Sequence, residues 1–384
     1  FKRDWREWPT GAIPSDGDID SVRQLVPASE TTWDETLLGT SGYVLGSPTS
    51  RLLMDRFTAA RSETAWNVEP SVVAINSQVG SAERCQSDGG CLRGCPFNSI
   101  WCASDQVQRW QLAGLIDYRP GTIARRIREG ADVTVHAQGT DGQWLEVQCR
   151  RAYIAAGPIS TAAILIQSGA MQAVTIRDTS TAFSAAVRIG LPRRALPTTR
   201  HHDLSQWWVM PDGDREFAAQ VYAPSLEHAG KLMAKLPFGR RFRGSAEFGA
   251  QQLHPVISYL DSELSDPLIV RDAGSTVEVI GATSPQTKAR FKVHLNRLAK
   301  QMRKAGWWMP SLATEFTPPG TGVHLGASLA HGDITDDLGR LPDWNRVHIV
   351  DSSVLPRIEV GSITPTIMAN AVRIARASAT LSAD

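Results

Sequence analysis

The sequence predicts an α/β chain with an inserted α+β domain built on a mostly antiparallel sheet. Three observations lead there. The run RRAYIAAGPISTAAILIQSG passes from a short apolar strand into a helix through the small residues Ala155, Ala156 and Gly157, a corner where α/β units let backbone approach a ligand. Between residues 173 and 310, the runs AAVRI, QWWVM, FAAQVYA, VISYL and TVEVI alternate as strands of a sheet with one wetter face do. From 321 to 376 the chain returns to a buried strand, a crossing loop and a helix, and places many chemically useful groups in few residues.

A length of 384 residues allows two domains, or one large discontinuous one, each with a sizeable core. A net charge of +1 gives no electrostatic case for nucleic acid or an anionic membrane as partner. No window approaches the roughly 18 apolar residues of a membrane span, and FKRDWREWPTGAIP has no apolar signal region, so a soluble protein is expected. Five cysteines, an odd number in a chain this long, argue against a disulfide framework and for a reducing, cytoplasmic setting.

In chain order, residues 1–84 carry scattered tryptophans (Trp5, Trp8, Trp33, Trp66) and one helix, 50–60, with Leu52, Leu53, Met54 and Phe57 at helical spacing. This part reads as a wrapping segment. The loop CQSDGGCLRGCPFNSIWC follows, with Pro96 expected to open a helix running through Gln111. Strands are expected at 122–127, 133–137 and, after the Asp141-Gly142 turn, 144–149. A helix with a basic face spans about 286–304, ahead of Gly306. The strand 347–350 ends in Asp351, and the last helix holds Thr364, Pro365 and Thr366 in its first turn. The domain boundaries follow: 1–110 as a wrapping or lid segment with the cysteine loop, 111–172, an inserted domain at 173–310, and a C-terminal segment at 311–384.

Two motifs have competing readings. Cys91-x3-Cys95-Pro96 matches the last ligand pair of a bacterial ferredoxin run, but five residues separate Cys85 from Cys91 and six separate Cys95 from Cys102. Zinc also prefers tighter pairs, so the loop is read as structural, with no metal. GTGVHLG resembles a dinucleotide turn but lacks a strand before it and a helix after it. Its glycines are read as letting backbone pass a planar group while presenting His324. A lone histidine is usually a core residue. His324 is followed within forty-two residues by Asp351 and by a helix start at 363–366, whose N–H groups and partial positive charge suit an electron-accepting ring. His331 and His348 lack that setting, and His201 and His202 are expected at the surface.

The segments VHLGASLA, LGRLPDWNRVHIVDSSVLP and GSITPTIMANAVRIA resemble the C-terminal signature of the glucose–methanol–choline family of flavoprotein oxidoreductases. AYIAAGPISTAAILIQSG resembles that family's strand–turn–helix, and CQSDGGCLRGCPFNSIW resembles the cysteine-rich loop of bacterial members, some of which act on sugars. The pieces occur in family order and touch about a third of the chain. The resemblance implies an FAD-binding Rossmann-like domain, with a substrate domain whose antiparallel sheet lies over the flavin. It implies that His324 stands near flavin N5 and takes the hydroxyl proton as hydride leaves an alcohol carbon. Asp351 and Ser352 would approach the ribityl and pyrophosphate portion, and Ala155, Ala156 and Gly157 the adenosine. Ile363, Thr364, Pro365 and Thr366 would aim helix N–H groups at the N1–C2=O edge.

Two departures from the family pattern stand out. Its second catalytic residue, asparagine or histidine, falls on Ser362, which can donate one hydrogen bond but cannot act as a base at neutral pH. The family's N-terminal βαβ unit with its G-x-G-x-x-G turn has no counterpart in these residues. The expectation is therefore the C-terminal part of a longer or split FAD enzyme oxidising a CH–OH group of an alcohol or sugar, with an N-terminal fragment or partner chain completing the FAD site. The alternative is a catalytically inactive subunit of the same fold, acting in binding or assembly. An iron–sulfur or zinc protein built on the cysteine loop is the third reading.

Overall fold

The computed structural model describes residues 5–37, 40–61, 64–189, 200–224 and 252–381. The strand-like alternation of the middle of the chain becomes a seven-stranded antiparallel sheet. Its order is Trp307–Trp308, Ser180–Arg188, Leu253–Leu260, Phe217–Tyr222, Ser205–Pro211 and Trp66–Pro70, with Glu315–Phe316 also pairing to Ser180–Arg188. Because side chains alternate along a strand, Trp207, Val209, Ala219, Val221, Val256 and Leu260 share one face. That face is buried under Leu53 and Phe57 of the helix Pro48–Ala59 and Phe291, Leu298 and Met302 of the helix Pro285–Lys304. The opposite face carries Trp208, Met210, Ala218, Ile257 and Tyr259, and Val360 of the C-terminal segment packs on it.

A second core surrounds the helix Pro158–Gln167. Its Ala162, Leu165 and Ile166 pack with Ile176, Leu268 and Val270 of a four-stranded antiparallel sheet. That sheet runs Val277–Ile280, Leu268–Asp272, Ala173–Asp178, Leu325–Gly326. The same core takes in Ile127 and Val133 from the meander Thr122–Glu129, Val133–Gly139, Trp144–Cys149, and Ile154, Val347 and Ile349 from a parallel pair. In that pair Ala152–Ile154 lies beside Val347–Ile349. The C-terminal helix Thr364–Ala379 packs through Met368 and Ala369 on Ile19 and Val22 of the helix Asp16–Leu25, which opens on a Ser15–Asp18 capping box.

Antiparallel pairing dominates among the described residues, as expected for the middle of the chain, and the parallel ladders are Ala152–Ile154 with Val347–Ile349 and Ser29–Thr32 with Tyr43–Leu45. Several other expectations are corrected. Pro96 does not open a helix. The loop first makes a short turn at Cys91–Arg93, Asn98 takes φ 53° and Ile100 bridges Ile75, so the helix begins only at Ala103 and ends at Leu112. TVEVI forms a hairpin with Leu268–Asp272 in the smaller sheet, because its partner strand lies just before it in sequence. Part of the wrapping segment, Trp66–Pro70, forms the outer strand of the large sheet. His202 is fully buried beside Thr31 and Gln206, and desolvation pushes its pKa down to about 3.

Candidate active site

The site is assembled at the end of the buried strand Val347–Ile349. Asp351 caps the turn Ser352–Val354: its Oδ1 accepts from Ser353 N at 2.9 Å. Its Oδ2 accepts from Gly157 N at 2.9 Å and from the Thr161 hydroxyl at 2.5 Å. One carboxylate thus ties the strand end to the strand-to-helix corner at 155–157. Ser352 donates its hydroxyl to Leu325 O at 2.6 Å and accepts Ala327 N at 2.9 Å on its own carbonyl, drawing the His324 segment against the strand end. Gly326 is required there, since a Cβ would collide with the Ser352 carbonyl. The polar atoms of the Asp351 and Ser352 side chains, expected to face a cofactor, are therefore engaged within the protein.

The corner itself is open. Ala155 and Ala156 are exposed, and Gly157 has φ 80° with nothing within 4 Å of where its Cβ would stand. Ile363 is buried among Ala327, Leu355 and Ile358, and the helix that follows has no side-chain cap. Thr364 is exposed, and Pro365 and Thr366 are half-buried. Ser362 is exposed, two residues after Val360, which rests on Tyr259 and Ala218.

His324 is reached through the turn 320–322. Gly320 N donates to Asp178 Oδ2 at 2.8 Å, Gly322 leaves room for the same carboxyl group, and Thr179 N donates to the His324 carbonyl at 3.2 Å. The imidazole stacks on Tyr259, with ring centroids 5.3 Å apart and 29° between planes. Its Nδ1 is buried without a hydrogen-bond partner, and burial pushes its pKa down to about 4. The ring is therefore neutral at pH 7, as a base must be, but the proton affinity is weaker than a pKa near the operating pH would give. Asp178 Oδ1 is also buried and unpartnered; desolvation outweighs the backbone N–H groups of Gly320 and Thr179 and pushes its pKa up to about 6.

Sequence reasoning missed the wall that His324 leans on. Tyr259 donates its hydroxyl to Gln220 Oε1 at 2.9 Å, Tyr222 donates to the same oxygen at 3.1 Å, and Trp208 stacks on Tyr259 at 6.0 Å. Alternation in FAAQVYA places Gln220 and Tyr222 on the wetter face, so parity was the available signal for those two; Tyr259 joins them through its pairing with Ala218, which VISYL alone does not reveal. Nothing in the sequence singled out Asp178.

With this geometry in place, comparison with known proteins separates sequence from fold. No protein-family model and no curated protein matches the chain. Solved structures do match, in 133 chains. One is pyridoxine 4-oxidase from Mesorbium loti, at TM-score 0.58 and 15% identity over 92% of this chain and 71% of that one. Another is an FAD-dependent oxidoreductase from Chaetomium thermophilum, at TM-score 0.56 and 12% identity over 97% of this chain and 84% of that one. The chain shares the fold of these oxidoreductases. At such identities the likeness is one of architecture, and what the residues do has to be argued from the site.

Proposed function

We propose that the protein is an FAD-dependent oxidoreductase of the glucose–methanol–choline type, oxidising a CH–OH group of an alcohol or sugar-like substrate. The observation that carries this reading is His324: a half-buried, neutral imidazole whose Nδ1 is buried without a partner, stacked on the aromatic sheet face. The shared fold supports it. FAD, when bound, supplies the hydride acceptor. His324 takes the hydroxyl proton, and Ser362 donates a hydrogen bond to the substrate oxygen. The open corner at Ala155, Ala156 and Gly157 and the uncapped helix start at Ile363, Thr364, Pro365 and Thr366 fit the cofactor, since both leave backbone approachable. Asp351 and Ser352 act as positioning residues, locking these two parts together.

The test is titration with FAD of the protein together with the N-terminal fragment or partner chain proposed to complete the site, followed by alcohol-dependent bleaching of the flavin band. His324→Ala is expected to keep the bound flavin and to slow bleaching by roughly 10²- to 10⁴-fold, the usual worth of a general base. A second reading, a binding or assembly subunit without catalysis, is favoured by the low proton affinity of His324 and by the serine at position 362. Flavin that binds but is not bleached by any alcohol supports it.

A further inference from the structure

The sheet face beside His324 carries a hydrogen-bond arrangement that a mere structural wall does not need. Gln220 Oε1 accepts from two tyrosine hydroxyls, Tyr259 at 2.9 Å and Tyr222 at 3.1 Å. A carbonyl oxygen has two lone pairs, so that oxygen is saturated. The two hydroxyls thereby fix the orientation of the amide, and its NH₂ group, with two donors, points away from both of them. Around it stand Trp208, stacked on Tyr259 at 25° between planes, and the apolar side chains Met210, Ile257 and Val360. Tyr259 spans the interval from Gln220 to His324: its hydroxyl touches one and its ring stacks on the other.

We propose that Gln220 is a specificity-determining residue, selecting a ring-bearing alcohol with a hydrogen-bond acceptor on the side of the ring remote from the oxidised carbon. This rests on the oxidoreductase reading above, because it takes His324 as the end at which the CH–OH group is held. The ring lies along the Tyr259–Trp208 wall, the hydroxyl faces His324, and the amide NH₂ donates to the distant acceptor. An acceptor-free ring of the same shape leaves a half-buried donor unpaired when it displaces water, which is where discrimination arises.

Two probes of equal shape test this: 4-pyridinemethanol, whose nitrogen lies across the ring from its CH₂OH, and benzyl alcohol, which lacks that nitrogen. Both are titrated calorimetrically into the protein with its flavin, above the pKa of the pyridine nitrogen. The native protein is expected to prefer 4-pyridinemethanol by on the order of tenfold. Gln220→Glu keeps an oxygen for the two tyrosine hydroxyls and removes the donors, so it is expected to abolish the preference with the melting temperature unchanged. Gln220→Leu, which removes the acceptor shared by both hydroxyls, is expected to lower the melting temperature as well. Equal affinity in the native protein, or a preference that survives Gln220→Glu, overturns the inference. If the preference is present and lost as expected but neither probe bleaches the flavin, the substrate reading stands and the catalytic one fails.

Discussion

Asp178 shows at residue scale how the turn that presents His324 is held. Its Oδ2 holds Gly320 N while Oδ1 is buried without a partner, and its pKa rises to about 6. A carboxyl whose folded pKa lies above its unfolded value stabilises fully below the unfolded value, and that contribution is lost as pH rises through the folded one. At neutral pH a buried negative charge therefore costs stability. Asp178→Asn keeps an acceptor for Gly320 and removes the charge. The expected gain is about 1–2 kcal/mol at pH 7.5 and close to none at pH 4, read by urea unfolding at both pH values. A gain of equal size at both would mean that charge is not the cause. The same carboxyl lies against the turn before His324, so the substitution also tests whether relieving the charge shifts the histidine.

At the scale of elements, Asp351 joins three of them: the strand Val347–Ile349, the turn Ser352–Val354 and the start of the helix Pro158–Gln167. Asp351→Ala leaves Gly157 N, Thr161 Oγ1 and Ser353 N without their acceptor. Such losses cost about 1–3 kcal/mol per buried group, so a total of about 3 kcal/mol or more is expected in denaturant unfolding, together with weaker FAD binding. Asp351→Asn, which retains one acceptor oxygen, is expected to lose less. The elements around the proposed site were legible in the sequence: the strand expected at 347–350 is Val347–Ile349, and the last helix opens at Thr364. The large sheet was legible from alternation, with helix 286–304 read to within a residue of Pro285–Lys304. Strand pairing was not legible, since local pattern carries no information about which strands meet. TVEVI alternates like its neighbours yet joins another sheet, and Trp66–Pro70 enters the large sheet from far away in sequence. Pro96 misled for a related reason: proline permits a helix start but does not require one, and a bridge from Ile100 to Ile75 holds that stretch extended.

Over the whole molecule, the buried histidines set the acid limit. Desolvation lowers His202 to about 3 and His254, His324 and His331 to about 4. These folded values lie below the unfolded 6.5, so between pH 6.5 and about 4 the unfolded chain binds more protons. Their contribution to stability is full above pH 6.5 and is lost as pH falls. Each group contributes a slope of up to about 1.4 kcal/mol per pH unit in that window, and Asp178 opposes it over its own range. The melting temperature is expected to fall steadily from pH 6.5 to 4. A flat profile over that window would show that these histidines are not buried as neutral rings. No described helix is long and apolar enough to cross a membrane.

The role proposed for His324 is that of the base in alcohol oxidation on a bound flavin. The most direct measurement is stopped-flow bleaching of the flavin band by 4-pyridinemethanol in the native protein and in His324→Ala, with FAD content matched. Bleaching is expected in the native protein, with a rate lower by roughly 10²-fold or more in the variant. Bound flavin that bleaches equally fast in both contradicts it.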